Sequence, residues 1–202
     1  MIGIRWITPS SAEPDESVIY QSLVETTEIV ENKPEIRGSA ARGQILHKIM
    51  EEVLHGLTAE TRVAFAARAA ELIKQLGFVE AASASQGLHR DEIADSVGRT
   101  LSSKLLQHFR GSLLPEFPVF ELREVDGHLD AYAGVIDAVG MDSSGKPEYV
   151  FDWKSTVSPS LHDMQKHAAQ LRIYLDQLKI ENGALIYMTG GDVIEVTRAA
   201  YN

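Results

Sequence analysis

Tyr132-Ala133-Gly134-Val135-Ile136-Asp137-Ala138-Val139 and Glu148-Tyr149-Val150-Phe151-Asp152-Trp153-Lys154 are two runs of β-branched and aromatic residues, each carrying an acidic side chain toward its C-terminal end. Both read as strands. Between them, Asp142-Ser143-Ser144-Gly145-Lys146-Pro147 has the Gly, Pro and small polar residues of a loop, so a hairpin is expected. Side chains alternate across a strand, which puts Val150, Asp152 and Lys154 on one face and Asp137 on the face of Val135 and Ala133. Asp152 and Lys154 therefore point the same way at a strand end, with a second carboxylate on the neighbouring strand.

Two carboxylates beside an ammonium form a site for a hard cation. Magnesium takes one or two carboxylates and completes its shell with water or substrate phosphate. A cation there would stabilise charge on phosphoryl oxygens and activate a water, and Lys154 would hold that water or the phosphate as a point charge. The chemistry expected is phosphodiester hydrolysis. Plainer readings exist: Asp-x-Lys also describes a solvated strand end, and Glu31-Asn32-Lys33, in a polar segment stopped by Pro34, is such a decoy. Asp137 discriminates, because a carboxylate between Ile136 and Ala138-Val139 costs free energy unless it is paired or bound to a cation. A buried ion pair and a cation site both meet that requirement.

Downstream, Leu161, Met164, Ala168, Leu171, Leu175 and Leu178 recur at alternating intervals of three and four, one buried stripe of a helix. Ser158 or Ser160 is placed to cap it, and Asn182-Gly183 to end it. Gln170 and Tyr174 lie four apart beside the stripe, where they flank the helix or orient the lysine, a water or a nucleic-acid backbone. Upstream, Ile45, Leu46, Ile49, Met50, Val53, Leu54 and Leu57 make a wide apolar helix face with His47 at its margin. A lone histidine there reads as a partly buried structural residue.

Taken in order, Arg42-Gly43-Gln44-Ile45-Leu46-His47, Gly-x-Ile-Asp at 134–137, Asp-Trp-Lys at 152–154 and Gln-x-x-x-Tyr at 170–174 resemble the nuclease domain of the RecB family within the PD-(D/E)xK superfamily. The resemblance runs from about Ser39 to Tyr187. It implies an α/β, restriction-endonuclease-like fold: a mixed central sheet flanked by helices, with an N-terminal helical part. It implies an active site of His47, Asp137, Asp152, Lys154, Gln170 and Tyr174. The expected cofactor is Mg²⁺, with Mn²⁺ able to substitute, held by His47, Asp137, Asp152 and the Trp153 backbone carbonyl. Exonucleolytic cleavage of DNA in recombination or double-strand-break repair is implied, as a domain or partner of a helicase motor. Glu121 resembles an acidic residue near the family's substrate path, although a solvated strand face explains it equally. Ile2 to Ser11 resembles the linker strand entering such a domain, so the chain is expected to be an excised domain or a subunit beside a motor.

Composition bounds these readings. The 202 residues, 44% hydrophobic, suffice for one domain with a sizeable core. No run of apolar residues suits a membrane span and the N-terminus lacks a signal-peptide core, so a cytoplasmic protein with no membrane partner is expected. Zero cysteines exclude disulfides, thiolate zinc sites and an iron-sulfur cluster. No Gly-rich Lys-Ser/Thr loop occurs, so this chain is not expected to hydrolyse ATP. With 19 Lys and Arg against 29 Asp and Glu the formal charge is -10, which opposes autonomous DNA binding. Delivery of DNA by another protein reconciles charge with chemistry; a catalytically silent module that binds DNA or a helicase, or a nuclease acting on RNA, are the other readings.

The expected layout is a linker or extension over about 1–38, either loop or an exposed helix around Val18 to Val30, then a nuclease domain over about 39–202. Its helical part, about 39–110, holds helices at 39–57, at 58–76 capped by Thr58, and from Arg90 to Phe109, with a small-residue linker at Ala81 to Gly87. Its catalytic part, about 117–200, holds strands near 117–125, 128–140, 148–154, 184–189 and 193–197 around the Gln170 helix.

Overall fold

The computed structural model describes residues 4–11, 13–14 and 35–198; the loop or exposed helix expected around Val18 to Val30 and the Glu31-Asn32-Lys33 decoy lie outside them. In chain order the elements are β1 (Ile4–Ile7), a 3-10 turn (Pro9–Ser11), α1 (Ala40–Leu54), α2 (Arg62–Gln75), α3 (Arg90–Leu101), α4 (Lys104–Phe109), β2 (Leu113–Val125), β3 (His128–Met141), β4 (Pro147–Lys154), α5 (Leu161–Leu178), β5 (Asn182–Tyr187) and β6 (Asp192–Thr197). This is the expected α/β architecture: a six-stranded mixed sheet flanked by helices.

Several boundaries differ from the sequence reading, each for a local reason. α1 stops at Leu54 because the amides of Gly56 and Leu57 turn back onto the carbonyls of Val53 and Glu52, and Thr58 then spends its hydroxyl on Glu52. Thr61, not Thr58, caps α2, its side chain accepting from the Ala64 amide. The single helix expected from Arg90 to Phe109 breaks at Ser102-Ser103, where Ser102 Oγ donates to the Arg99 carbonyl and Gln107 Nε2 to that of Leu101. Serine competing for backbone groups is a recognised helix stop. α5 starts as expected, with Ser160 and Asp163 forming a reciprocal capping box, but ends on a left-handed Lys179. Asn182 and Gly183 open β5 instead: a Cβ on Gly183 would stand 3.0 Å from the Val150 carbonyl and 3.2 Å from Leu175, so this glycine serves close packing.

The two apolar layers sit on opposite faces of the sheet. Phe151, Trp153, Tyr149 and Ile186 pack with Ile45, Ile49, Phe65, Ile93, Val97 and Leu106 of the helical part. Val150, Ile136, Leu185 and Val196 pack with Ala168, Leu171 and Leu175 of α5. β4 is buried without a break from Tyr149 to Trp153, as expected of a strand covered on both faces.

β3 organises the sheet. β2 pairs with it antiparallel along its whole length, from His128 to Gly140. Its other edge is shared, β1 pairing parallel with Leu129 to Tyr132 and β4 antiparallel with Ala138 to Met141. Ala133 to Asp137 therefore face a fork between β1 and β4. At the fork the strands also change face: Ile136 belongs to the α5 layer and Ala138, two residues on, to the helical layer. β2 turns over at the same level, where Glu116 has φ 52° in the left-handed region; Leu113 packs with the helical layer and Phe117 with α5.

α1 is tied to the end of β4 by Arg42, the largest fully buried side chain. Its guanidinium donates to both Glu92 oxygens, at 2.9 and 2.5 Å, to the Ser155 carbonyl at 2.8 Å, and to the hydroxyls of Ser96 and Thr189. Gly43 lets the helix come this close, since a Cβ there would lie 2.8 Å from Ser155 Oγ. Breaking a buried pair by removing one partner costs about 3 kcal/mol or more. Arg42→Met is expected to lower unfolding stability by about that amount, read by urea titration at neutral pH; a loss below about 1 kcal/mol would show the network to be incidental.

Candidate active site

Asp137 stands where the β3–β4 ladder stops. The last paired residues are Ala138 and Phe151; beyond them Asp137 Oδ2 accepts the Trp153 backbone N–H at 2.7 Å, a side chain taking the place of a strand carbonyl. Its other oxygen lies 3.0 Å from His47 Nδ1, so α1 is joined to the fork through the imidazole. Burial lowers the His47 pKa, but the charge and hydrogen bond of Asp137 outweigh it and the net shift is upward.

Asp152 is 4% exposed. Its Oδ2 forms an ion pair with Lys154 Nζ at 2.6 Å. Burial pushes the Asp152 carboxyl up to about 6, with Lys154 pulling it down and Asp137 pushing it up. Lys154 Nζ in turn donates to Gln170 Oε1 at 2.9 Å. Of the roles open to Gln170, the geometry is that of holding the lysine. Tyr174 is buried and donates to the Val135 carbonyl at 3.2 Å. Burial raises the Tyr174 pKa, against a Gln170 hydrogen bond, and the two carboxylates raise it further. Gly134 is needed beneath this ring, since a Cβ would lie 3.0 Å from Tyr174 Cε1 and 3.3 Å from Pro9 Cγ.

The structure thus gathers His47, Asp137, Asp152, Lys154, Gln170 and Tyr174 around one fork. Trp153 contributes its N–H to Asp137, while its indole is buried against Phe151 in the helical layer. Glu121 lies elsewhere: it is paired in register with Tyr132 and bound to Arg123 at 2.7 Å. The acidic residue brought to the site is Glu116, which faces Asp137 between the pairs Pro115–Ala138 and Phe117–Ile136. Desolvation, then the charges of Asp137 and Glu51, raise its pKa although the residue is exposed. The signal for Glu116 was its setting, Pro115-Glu116-Phe117-Pro118, since prolines inside a strand mark irregularities.

Two carboxylates, Asp137 and the buried Asp152, meeting at one fork suit a divalent cation of the Mg²⁺ type. Among the described residues no group of three His, Cys, Asp or Glu is arranged as a metal cage. A cage is not required, because such an ion completes its shell from water and phosphate.

A restriction-endonuclease-like sheet with an acidic pair and a lysine at a strand fork defines a class of nuclease-fold proteins. Residues 20–193 match the family model described as PD-(D/E)XK nuclease superfamily, and the chain belongs to that superfamily. Membership suggests nuclease activity, the fold implies DNA binding, and nucleases of this superfamily usually use divalent metals. One similar solved structure, "Crystal structure of SSO0001", has 24% sequence identity with a TM-score of 0.37, covering 79% of this chain and 77% of that one. No curated protein matches the sequence. Among the described residues no helix is long and apolar enough to cross a membrane.

Two buried groups near the site oppose one another in pH. The folded Asp152 holds its proton up to about 6 whereas an unfolded carboxyl ionises near 3.8, so this group makes stability fall as pH rises through that window. His167 is hydrogen-bonded to the Tyr187 hydroxyl at 2.9 Å. Burial, then the charge of Lys154, push it down to about 4 from 6.5. The unfolded chain takes that proton first, so His167 makes stability rise across the same window. In EDTA, His167→Gln is expected to lose stability from pH 4 to 6, and Asp152→Asn to gain it, each on the order of 2 kcal/mol. Parallel profiles for the two variants in thermal melts would contradict this assignment.

Proposed function

We propose that this chain is a Mg²⁺-dependent deoxyribonuclease, exonucleolytic in character, that acts in recombination or double-strand-break repair beside a helicase motor. The observation carrying the reading is the convergence of Asp137, Asp152 and Lys154 at the fork, with Lys154 held 2.9 Å from Gln170 Oε1. Asp137 and Asp152 would hold the cation, with the Trp153 carbonyl and His47 as further donors. Bound there, it would supply Lewis acidity at the phosphoryl oxygens and a neutral-pH source of nucleophile.

The chain's own residues do the positioning. Lys154 sits against Asp152 and Gln170, where its ammonium would donate to the attacking water or the scissile phosphate. Gln170 Oε1 accepts from another of its N–H groups and so fixes the direction of the ammonium. Tyr174, with its pKa raised, stays a neutral phenol at physiological pH and holds the fork open through the Val135 carbonyl. His47 fixes Asp137 from the helix side; to serve as a donor itself it would need to be neutral and use Nε2.

The charge of -10 supports the helicase part of the reading, since phosphate affinity comes chiefly from Lys and Arg. It equally favours the second reading, a catalytically silent module carried by a partner. Lys154→Ala and Asp152→Ala are expected to abolish Mg²⁺-dependent degradation of linear DNA while retaining a cooperative melt. Wild-type protein is expected to gain RT ln(1 + [L]/Kd) in stability from Mg²⁺ or Mn²⁺, and Asp152→Ala to gain none. Full activity in either purified variant would sink the nuclease assignment, and wild-type protein indifferent to both metals would favour the silent module.

A further inference from the structure

The sheet face that carries Asp137 continues past the fork as an exposed apolar strip. Register places Trp6 and Leu122 opposite Ala131, Phe120 opposite Ala133 and Pro118 opposite Val135. Alternation along β3 puts 131, 133 and 135 on one side, and the bond from Asp137 to His47 of α1 keeps its side chain on that side where the strand changes face, so all these side chains share the face of Asp137. Trp6 is 69% exposed and Phe120 61%, with Ile4, Leu122 and Val135 each at least half exposed. The Trp6 and Phe120 rings lie 6.4 Å apart. Large apolar side chains clustered in the open call for an occupant.

The strip is also built to stay in place. Arg5, between Ile4 and Trp6, makes a two-pronged bond to the buried Asp130, Nε to Oδ1 at 2.9 Å and Nη2 to Oδ2 at 2.6 Å. That clamp fastens β1 to β3 from the opposite face and fixes Trp6 at its register.

We infer that Trp6 and Phe120 form a stacking platform for the bases of a single DNA strand whose scissile phosphate lies at the Asp137–Asp152 fork. The inference rests on the nuclease reading. A phosphodiester at the fork belongs to a polymer, and the nucleotides on one side of it must pass over some surface. At ~3.3 Å per strand residue, Phe120 and Trp6 lie roughly 13 to 20 Å along β3 from Asp137, within a few nucleotides of the cut. Aromatic faces bind bases by stacking regardless of sequence. Duplex bases have no free face to offer, so the platform selects an unpaired strand. It also suits an acidic protein, because stacking does not depend on positive charge.

The two tryptophans make a direct test, since Trp6 is exposed and Trp153 is 2% exposed. On the Lys154→Ala protein in Mg²⁺, oligothymidylate of about ten nucleotides is expected to quench the fluorescence of Trp6, and an abasic strand of the same length is not. Phe120→Ala should weaken that binding roughly tenfold. In wild-type background, Trp6→Ala and Phe120→Ala should each raise KM for single-stranded DNA several-fold with kcat within twofold. Cleavage of bis(p-nitrophenyl) phosphate, too short to reach the platform, should not change; Phe120→Leu, which keeps the apolar contact with Trp6, separates lost stacking from lost folding by showing the same KM defect. Equal quenching by the abasic strand, or unchanged KM in both alanine variants, would overturn the platform while leaving the nuclease reading intact. A monomer–dimer equilibrium in sedimentation abolished by Trp6→Ala would overturn it in favour of a second copy of the chain. Absence of any cleavage by wild-type protein, with quenching retained, would instead remove the nuclease reading.

Discussion

The bond from the Trp153 amide to Asp137 Oδ2 is the contact on which the site depends. A buried backbone N–H left unpaired costs about as much as a lost hydrogen bond, and where β3 leaves β4 no carbonyl remains for Trp153. Asp137 supplies the acceptor, so the strands can separate without an orphaned donor. The same carboxylate draws His47 to the fork from α1. The group best placed to hold a cation is thus also the group that stabilises the opening in which the cation would sit.

The other half of the fork follows the same rule. Tyr174 donates to the Val135 carbonyl and Gly134 makes room for its ring, while Lys154 and Gln170 close the far side. Each group of the expected active site therefore has a structural duty at this gap. Such a site is pre-organised, because its side chains are held by bonds that the fold needs in any case. It is also acid-loaded: Asp152 is buried with Lys154 against one of its oxygens, and Glu116 meets Asp137 from β2 at a residue held in the left-handed region. Strain and unbalanced charge at a functional site are offset by packing elsewhere, here by the two apolar layers on either side of β4.

Most of this was legible in order and type, and less of it in position. Period-two and period-three-to-four patterns located β3, β4 and α5, and the residues Asp137, Asp152, Lys154, Gln170 and Tyr174 were named from them. What alternation could not reveal is the change of face at Asp137, since the pattern assumes a regular strand and Ile136 and Ala138 in fact enter different layers. For the same reason alternation does not carry β2 back past Phe117 to Glu116, where the strand turns over. Thr58 is not the cap of α2 because Glu52 claims its hydroxyl, a contact between residues of different elements that no local pattern shows. The role of Arg42 was invisible, because its partners Glu92, Ser155 and Thr189 come from three distant segments.

The fork also sets how an acidic protein would engage DNA. At -10 the molecule repels phosphate over a Debye length of ~10 Å at moderate salt, so attraction has to be local and short-ranged. Lys154 is committed to Asp152 and Gln170, which leaves little positive charge at the fork for a second phosphate. The exposed strip of β1 and β2 meets this constraint from the other side, by holding bases instead of phosphates on the very face that carries Asp137. β1 ends at Ile7 and β4 pairs with β3 only from Ala138. The gap between them therefore does two things at once: it exposes the carboxylates, and it ends the apolar strip at the point where a strand held on it would meet them.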